Sequence, residues 1–329
     1  MSEEWLTPLS RLKSLSKKDL EILEQNGIRT VEALLYRSDE LEEIFESYDE
    51  TLRYRKALDL SIEALSLKKM WMVSAAEWAE VEAKQLKFTT GSKALDDLLG
   101  GGIHSMFLAE FYGEYGTGKS QILNTIMVEA LARHKDRTAV YIDCEKTYMD
   151  FRIRQIARAR GYDPDEIINR IILIKPAHSK DLLEIVKRLY LTVESRKTVI
   201  IVCDSLISHL RAEFLGREML QPRQHMLTRI IHRLKNLAEL YNIGVVTSNQ
   251  VVAVPQATMT PFGDVKPVGG HILGHVVEPR VFVRKAGGSK RVARIEDSCW
   301  LPPGEAEFMI TEKGVEDVPQ GESDGKDKR

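Results

Sequence analysis

The sequence has few cysteines and no long hydrophobic run. Its cysteines, Cys144, Cys203 and Cys299, are scattered and odd in number, which fits neither a disulfide framework nor a zinc site. No apolar run reaches the roughly 18 residues that a membrane helix needs, and the N-terminus lacks the apolar core of a signal peptide. We therefore expect a soluble, cytoplasmic protein with no membrane partner.

The sequence also lacks an excess of charge of either sign. It has 47 Lys and Arg against 49 Asp and Glu, a formal net charge of −2. Any binding of nucleic acid must therefore come from local clusters of cations. The 329 residues, 43% of them hydrophobic, are enough for one large α/β domain and a small one.

The chain divides into four parts by composition and periodicity. Apolar residues in the first part recur at helical spacing, and Asn26 with Gly27 is typical of a helix end. A connector containing MWMVSAAEW follows, and the last residues are polar, which predicts a disordered tail. The predicted parts are 1–67, an all-helical domain; 68–86, the connector; 87–318, the core; and 319–329, the tail.

Short apolar runs alternate with helical patterns in the core. This alternation predicts a mostly parallel sheet with helices on both faces. The closely spaced runs VFVRK and RVARIED predict hairpins appended to that sheet. The predicted strands are 107–112, 138–142, 171–174, 199–202 and 243–247, and the predicted helices are 121–133, 181–194 and 223–241.

One segment, GEYGTGKS, matches the phosphate-binding loop G-x-x-x-x-G-K-[ST] between an apolar strand and a helix. Glycines let backbone N–H groups turn toward phosphate oxygens, the lysine reaches the outer phosphates and the serine can bind Mg²⁺. The alternative, a chance match in a glycine-rich turn, is rare in this context. The segment predicts nucleotide binding by Gly113, Glu114, Tyr115, Gly116, Thr117, Gly118, Lys119 and Ser120.

A phosphate loop needs a second anchor for the metal, and TVIIVCDSL provides one. This apolar run ends in Asp204, which places a carboxylate at the carboxyl edge of a neighbouring strand. We expect Asp204 and Ser120 to hold Mg²⁺ together. The alternative role of Asp204 is to cap the following helix.

Hydrolysis of a γ-phosphate requires a group that orients and deprotonates water. The strand TAVYIDCEKT ends in Asp143 and Glu145. Glu145 is the candidate and Asp143 its competitor, while a solvated strand end is the alternative for both.

From residue 86 to about 317 the sequence resembles the RecA-like strand-exchange recombinases of archaea and eukaryotes. The helical domain and the connector also occupy the places expected in that family. The resemblance implies an α/β fold, a RecA-like P-loop ATPase core with a mostly parallel sheet after a helix-hairpin-helix-like domain. It is carried by FTTGSKALDDLLGGGI, GEYGTGKSQ, DSLISHLRAEFLGRE, LAELYNIGVVTSNQV, KPVGGHILGH and DSCWLPPGEAEFMITEKGVED.

The resemblance also implies a function. Such recombinases use ATP and Mg²⁺ to form filaments on single-stranded DNA and pair it with homologous double-stranded DNA, and DNA stimulates their ATP hydrolysis. By resemblance, this chain is an ATP-dependent recombinase of DNA repair whose partners are both forms of DNA and further copies of itself.

The resemblance assigns roles to individual residues as well. Glu145 corresponds to the glutamate that activates water and Gln250 to the residue that senses the γ-phosphate, with Lys119 in the same catalytic set. The other nucleotide contacts that it implies are Gln121, beside the phosphate loop; His275, which couples neighbouring subunits to ATP; and Asp297 and Pro302, which cap the adjacent protomer's nucleotide.

Two segments correspond to the family's DNA-binding loops. The second loop is segment 251–269, which begins at Val251 and ends at Gly269; a mobile surface loop is the alternative. The first is REMLQPRQ, in which Arg217 and Arg223 are the candidate DNA contacts.

The sequence departs from the family at the connector. The F-x-x-A motif through which family members join subunits corresponds here to MVSA, with Met72 and Ala75 as the candidate oligomerisation residues. Methionine can still fill an apolar pocket, but it lacks the rigid ring.

Two further departures affect ligands. Met149 replaces the arginine that stacks on adenine, and Ser14 to Ser16 replace the glycines of the N-terminal hairpin. Together the departures favour an alternative function, a paralogue that binds ATP and regulates a main recombinase through other recombinase subunits, without strand exchange. A RecA-like signalling ATPase or a hexameric helicase is a further alternative.

Cations also cluster along the C-terminal strands. Solubility of a hairpin explains such charges as well as phosphate contact does, so we leave them out of the predicted site. They are Arg280, Arg284, Lys285, Lys290, Arg291 and Arg294.

Overall fold

The structure of the protein, a computed structural model, describes residues 5–216, 218–253, 265–267 and 276–319. Its N-terminal part is helical, as predicted. Ser16 begins the first helix with a capping box: its hydroxyl accepts the Asp19 N–H at 3.2 Å, and the Asp19 carboxylate accepts the Ser16 N–H at 2.9 Å. The helices of this unit are α1 (Lys17–Gln25), α2 (Val31–Tyr36), α3 (Leu41–Ile44) and α4 (Glu50–Leu67).

The connector contains a helix, α5 (Ala75–Glu82), that we did not predict. Ser74 and Glu77 form its capping box, with the Glu77 carboxylate accepting the Ser74 N–H at 2.8 Å. The spacing S-x-x-E is a sequence signal for such a start. Of the candidate oligomerisation residues, Ala75 is the exposed first residue of this helix, and Met72 lies just before the helix and is 88% exposed.

The core alternates strands and helices. Its helices are α6 (Lys93–Leu98), α7 (Lys119–Arg133), α8 (Asp150–Ala159), α9 (Pro164–Ile168), α10 (Ser179–Arg196), α11 (Ser208–Glu213) and α12 (Leu220–Tyr241). Its strands are β1 (Lys87–Phe88), β2 (Ile103–His104), β3 (Leu108–Gly113), β4 (Thr138–Asp143), β5 (Ile171–Ile174), β6 (Thr198–Asp204), β7 (Gly244–Ala253), β8 (Val265–Pro267), β9 (Arg280–Lys285), β10 (Lys290–Asp297), β11 (Glu305–Thr311) and β12 (Gly314–Glu316).

Within the described residues, the large sheet has the order β12-β11-β10-β9-β3-β7-β6-β4-β5, and β8 pairs with β7. Neighbouring strands from β9 to β5 are parallel, whereas those from β9 to β12 are antiparallel. The predicted parallel sheet and its appended hairpins are therefore confirmed. Predicted bounds shift by a few residues, most at β7, which continues past the predicted end at 247 to Ala253.

Helices cover both faces of this sheet, so β3 and β6 are buried along their whole lengths. On one face, α7 packs over alternate strand residues such as Tyr141. On the other, α10 and α12 share a hydrophobic cluster with the N-terminal unit, in which Leu34 and Tyr36 are fully buried. The Tyr36 hydroxyl also donates to the Val186 carbonyl of α10 at 2.6 Å. The helical unit is thus docked against the core.

Among the helices in the described ranges, none combines the length and apolarity that crossing a bilayer demands.

Candidate functional site

The carboxyl ends of four neighbouring strands meet at one edge of the sheet. β3 ends at Gly113, which lies in register with Gln250 of β7, and β4 places Asp143 opposite Asp204 of β6. Parallel strands end on the same side of a sheet. Side chains that are far apart in sequence, including the predicted catalytic and metal-binding residues, therefore converge beside the phosphate loop.

The phosphate loop joins β3 to α7. Gly118, immediately before α7, has a φ of 101°, and a methyl group placed on it would lie 2.0 Å from Ile310 Cδ1. Only glycine fits both this left-handed backbone and this close contact. The loop leads directly into the N-terminus of α7, an arrangement that favours phosphate.

The Lys119 ammonium group folds over the loop. Its Nζ donates to the carbonyls of Gly113 at 2.9 Å and Glu114 at 2.8 Å. Burial lowers the pKa of Lys119, while the charges of Asp204, Glu145 and Glu114 act in the opposite direction. A cation placed between a phosphate loop and carboxylates suits a phosphate that arrives with a divalent metal ion.

The other loop residues differ in exposure. Thr117 is buried, whereas Tyr115 is 96% exposed. Ser120 lies in the first turn of α7 and is partly exposed. The side chain of Gln121 is engaged with α8, because its Oε1 accepts the Arg152 Nε–H at 2.7 Å.

Asp204 lies at the end of β6 and is almost fully buried. Ser248 donates to its Oδ1, and the Tyr141 hydroxyl donates to its Oδ2 at 3.2 Å. Burial, with Asp204 as the next contribution, raises the pKa of Tyr141 and keeps it a donor. Helix α11 begins after Ile207 without a side-chain cap, so Asp204 does not have the alternative role of capping this helix.

The metal-binding capacity of this edge is modest by itself. Among the described residues, no group of three or more His, Cys, Asp or Glu is arranged so that it could hold a metal ion by itself. Mg²⁺ needs only one or two carboxylates when phosphates provide further ligands. Asp204 and Ser120 therefore fit a magnesium ion that is bound jointly with a nucleotide.

Glu145 and Asp143 have different surroundings. The Asp143 carboxylate is fully buried and accepts the backbone N–H groups of Thr147 at 2.9 Å and Tyr148 at 3.2 Å, with Lys175 Nζ at 3.7 Å. It holds the turn after β4. Glu145 is partly exposed at the edge, which favours it over Asp143 as the water-activating residue.

Gln250 bridges Glu145 and a residue that the sequence did not suggest. Its Nε2 donates to Glu145 Oε1 at 3.1 Å, and its Oε1 accepts from Arg211 Nη1 at 3.0 Å. The Ser205 hydroxyl donates to the same Glu145 oxygen at 2.8 Å. Arg211 and Ser205 both lie in the family-like segment DSLISHLRAEFLGRE, but we predicted no site role for either. Ser205 reaches the edge because it directly follows β6, and Arg211 because α11 lies beside it.

The predicted DNA-binding segments are only partly described. Arg223 lies in the first turn of α12, so REMLQPRQ is helical from Leu220 onward, and its assignment as a DNA contact stays a prediction. Val251 continues β7 and pairs with Pro267 of β8, so the second segment begins as a strand. Arg217 and the remainder of segment 251–269 lie outside the described residues.

Asp297 and Pro302 are predicted to contact the nucleotide of a neighbouring protomer. Among the described residues, neither forms a hydrogen bond or an ion pair with the phosphate loop of its own chain. Asp297 ends β10, Pro302 lies in the following turn, and both are exposed. His275 lies outside the described residues.

In the N-terminal unit, a carboxylate occupies the backbone turn that precedes α1. The N–H groups of Lys13 and Ser14 donate to Glu63 at 2.5 Å and 3.1 Å, and the Ser14 hydroxyl donates to the same group. Burial raises the pKa of Glu63, but these hydrogen bonds outweigh it and leave the pKa lowered. The turn therefore already holds an anion.

Comparison with known proteins agrees with this geometry. A family model described as Rad51 matches residues 82–318, which include the last residue of the connector helix and the whole described core. The chain belongs to the Rad51 family.

Curated relatives extend the Rad51 match. The DNA repair and recombination protein RadA of Aeropyrum pernix is 41% identical over 269 residues, covering 80% of this chain and 78% of that protein. RadA of Ignicoccus hospitalis is 39% identical over 276 residues, covering 81% and 78%. The predicted resemblance to RecA-like recombinases is thereby confirmed.

Proposed function

We propose that the protein is an ATP-dependent recombinase of DNA repair in the cytoplasm, which forms filaments on single-stranded DNA and promotes homologous pairing and strand exchange. The observation that carries the proposal is the contact between Glu145 and Gln250 beside the phosphate loop. It joins a group suited to activating water to the strand that leads into the candidate DNA-binding segment. The names of the RadA relatives support the same function.

In this proposal, backbone N–H groups of the phosphate loop and Lys119 bind the phosphates of ATP, and Ser120 and Asp204 hold Mg²⁺. The ion neutralises charge on the phosphates when it is bound. Glu145 orients a water molecule and accepts its proton as the γ-phosphate is transferred. Ser205 and Gln250 hold the carboxylate in place, since both donate to the same oxygen.

The contacts of Gln250 also connect the proposed ATP site to the candidate DNA-binding segments. Gln250 immediately precedes segment 251–269, and Arg211 lies in the helix that precedes the first candidate segment. A γ-phosphate that draws the Gln250 amide toward itself would alter both connections. In a filament, His275, Asp297 and Pro302 would complete the neighbouring ATP site, and Met72 and Ala75 would join the protomers.

The alternative proposal is a regulatory paralogue without strand exchange. It is favoured by the occupied turn at Lys13 and Ser14, which removes one candidate DNA contact. Met149, 56% exposed in place of the adenine-stacking arginine, favours it as well.

The deciding experiment is D-loop formation. Purified protein is mixed with a labelled single strand, homologous supercoiled duplex, ATP and Mg²⁺, beside Lys119→Ala as the matched control. Joint molecules that require both ATP and Lys119 are expected. A folded protein that binds ATP and yields no joint molecules would instead support the regulatory paralogue.

A further inference from the structure

The C-terminal hairpin of β9 and β10 places two cations against the phosphate loop of the same chain. Arg291 Nε donates to the Thr117 carbonyl at 2.9 Å. Its Nη1 donates to the carbonyls of Gly288 at 2.9 Å and Lys290 at 2.8 Å, which anchors the guanidinium to the hairpin. A methyl group placed on Gly116 would lie 3.2 Å from Lys285 Nζ.

Strand alternation explains why these cations point this way. Arg291 shares a face of β10 with Ala293 and Ile295, and both belong to the cluster that packs around α7. Lys285 likewise shares a face of β9 with Val283 of that cluster. The side chains of Arg291 and Lys285 therefore lie on the same face of the sheet as these core residues, at the strand ends nearest the phosphate loop.

The contact with Thr117 has a consequence through the peptide plane. A trans peptide is planar, so its C=O and the following N–H point in opposite directions. Because Arg291 holds the Thr117 carbonyl toward the hairpin, the Gly118 N–H must point away from it. That N–H is one of the donors that a phosphate loop offers to phosphate oxygens.

The positive charge is also available to a ligand. Within the described part of the chain, neither Arg291 nor Lys285 pairs with a carboxylate. Arg284, adjacent to Lys285 but on the opposite face of β9, does pair, with Glu305 at 3.4 Å. The hairpin thus offers uncompensated charge only on the side of the phosphate loop.

We propose that Arg291 is a positioning residue that fixes the Thr117–Gly118 peptide for phosphate binding, and that Lys285 adds a second cation to the same site. This inference rests on the proposed binding of ATP and extends it to the chain's own C-terminal hairpin. It makes the affinity for the β-phosphate depend on residues outside the phosphate-loop motif.

The test compares ADP and AMP binding by calorimetry in the full chain, with ATPase kinetics alongside. Arg291→Ala should weaken ADP binding about tenfold, the effect of one charge-assisted hydrogen bond, and raise the KM for ATP while kcat changes little. AMP affinity should stay unchanged because AMP has no β-phosphate. Arg291→Lys should restore part of the loss, and Lys285→Ala should weaken ADP binding about threefold, less so at high salt.

Arg284→Ala is the matched control and should bind ADP like the wild type. Thermal melting without nucleotide checks that each variant is folded. Wild-type-like ADP binding by Arg291→Ala, or an equal loss for ADP and AMP, would overturn the inference while leaving the proposed function intact. Failure of the wild type to bind either ATP or ADP would overturn both.

Discussion

The phosphate loop of the core and the turn before α1 offer backbone N–H groups at the start of a helix, yet they have opposite surroundings. At the core loop, two cations contact the backbone: Lys119 donates to the Gly113 carbonyl and Arg291 donates to the Thr117 carbonyl. At the N-terminal turn, Glu63 accepts the N–H groups directly.

The difference shows that backbone N–H groups at the start of a helix do not by themselves make a binding site for an external anion. A carboxylate of the same chain is present at high effective concentration, so it competes with any external phosphate. The core loop has no such internal competitor among the described contacts of its N–H groups. The charged side chains that contact each backbone turn, rather than the turn itself, distinguish the two sites.

Removing the cation from the core loop should have the largest effect. Lys119→Ala loses a charge-assisted contact to phosphate worth about 3 kcal/mol, so ATP affinity should fall about 100-fold. Calorimetric titration measures this loss. Retained ATP hydrolysis in the variant would show that the nucleotide site lies elsewhere.

A substitution of Glu145 separates nucleotide binding from ATP hydrolysis at the core site. Glu145→Gln keeps a side chain that can accept from Gln250 and Ser205 but removes the proton acceptor, so turnover should fall at least about 100-fold. Nucleotide affinity should stay within about threefold because the phosphate contacts remain. Single-turnover ATP hydrolysis measures the difference, and normal turnover would transfer the role to Asp143.

Removing the Glu63 carboxylate from the N-terminal turn should leave the N–H groups of this turn free to bind an external anion, as proposed for those of the core loop. Glu63→Ala frees the Lys13 and Ser14 amides, so nucleotide-free DNA binding at low salt should rise about threefold. Glu63→Gln, whose amide oxygen can still accept these N–H groups, is the control and should change less. Fluorescence anisotropy with labelled single strands gives the affinities; equal binding by all three proteins would exclude this turn as a DNA contact.

A substitution in the connector should have the smallest effect of these changes, and the effect should be on self-association. Met72→Phe adds a rigid ring at an exposed position, which should strengthen self-association a few-fold if this residue enters a neighbour's apolar pocket. Sedimentation velocity over a concentration series detects the shift. Identical sedimentation of the two proteins would remove Met72 from the subunit contact.

Sequence alone predicts features that depend on local pattern. The phosphate loop, the strand that ends in Asp204 and the parallel sheet all follow from motifs and periodicity, and the structure contains them. The missed connector helix had a local signal as well, the Ser74 and Glu77 capping box.

Contacts between distant segments could not be predicted in this way. The Arg291 contact to Thr117 spans 174 residues, and Arg211 reaches Gln250 across 39. These pairs exist because the strand order brings β10 and α11 to the loop edge, and no residue near either arginine encodes that order. The cluster of cations and the inward-facing alternation of β10 were hints for Arg291, but neither identifies Thr117 as its partner.

The hydrophobic cluster shared by the helical unit and the core has a consequence for unfolding. Tyr36 and Leu34 are buried in the same cluster as residues of α10 and α12, so neither part can lose its packing without exposing apolar surface of the other. A unit of about 60 residues is marginal by itself. Heat or denaturant should therefore disrupt both parts in one cooperative transition, as expected of a single thermodynamic domain, even where the sequence reads as two.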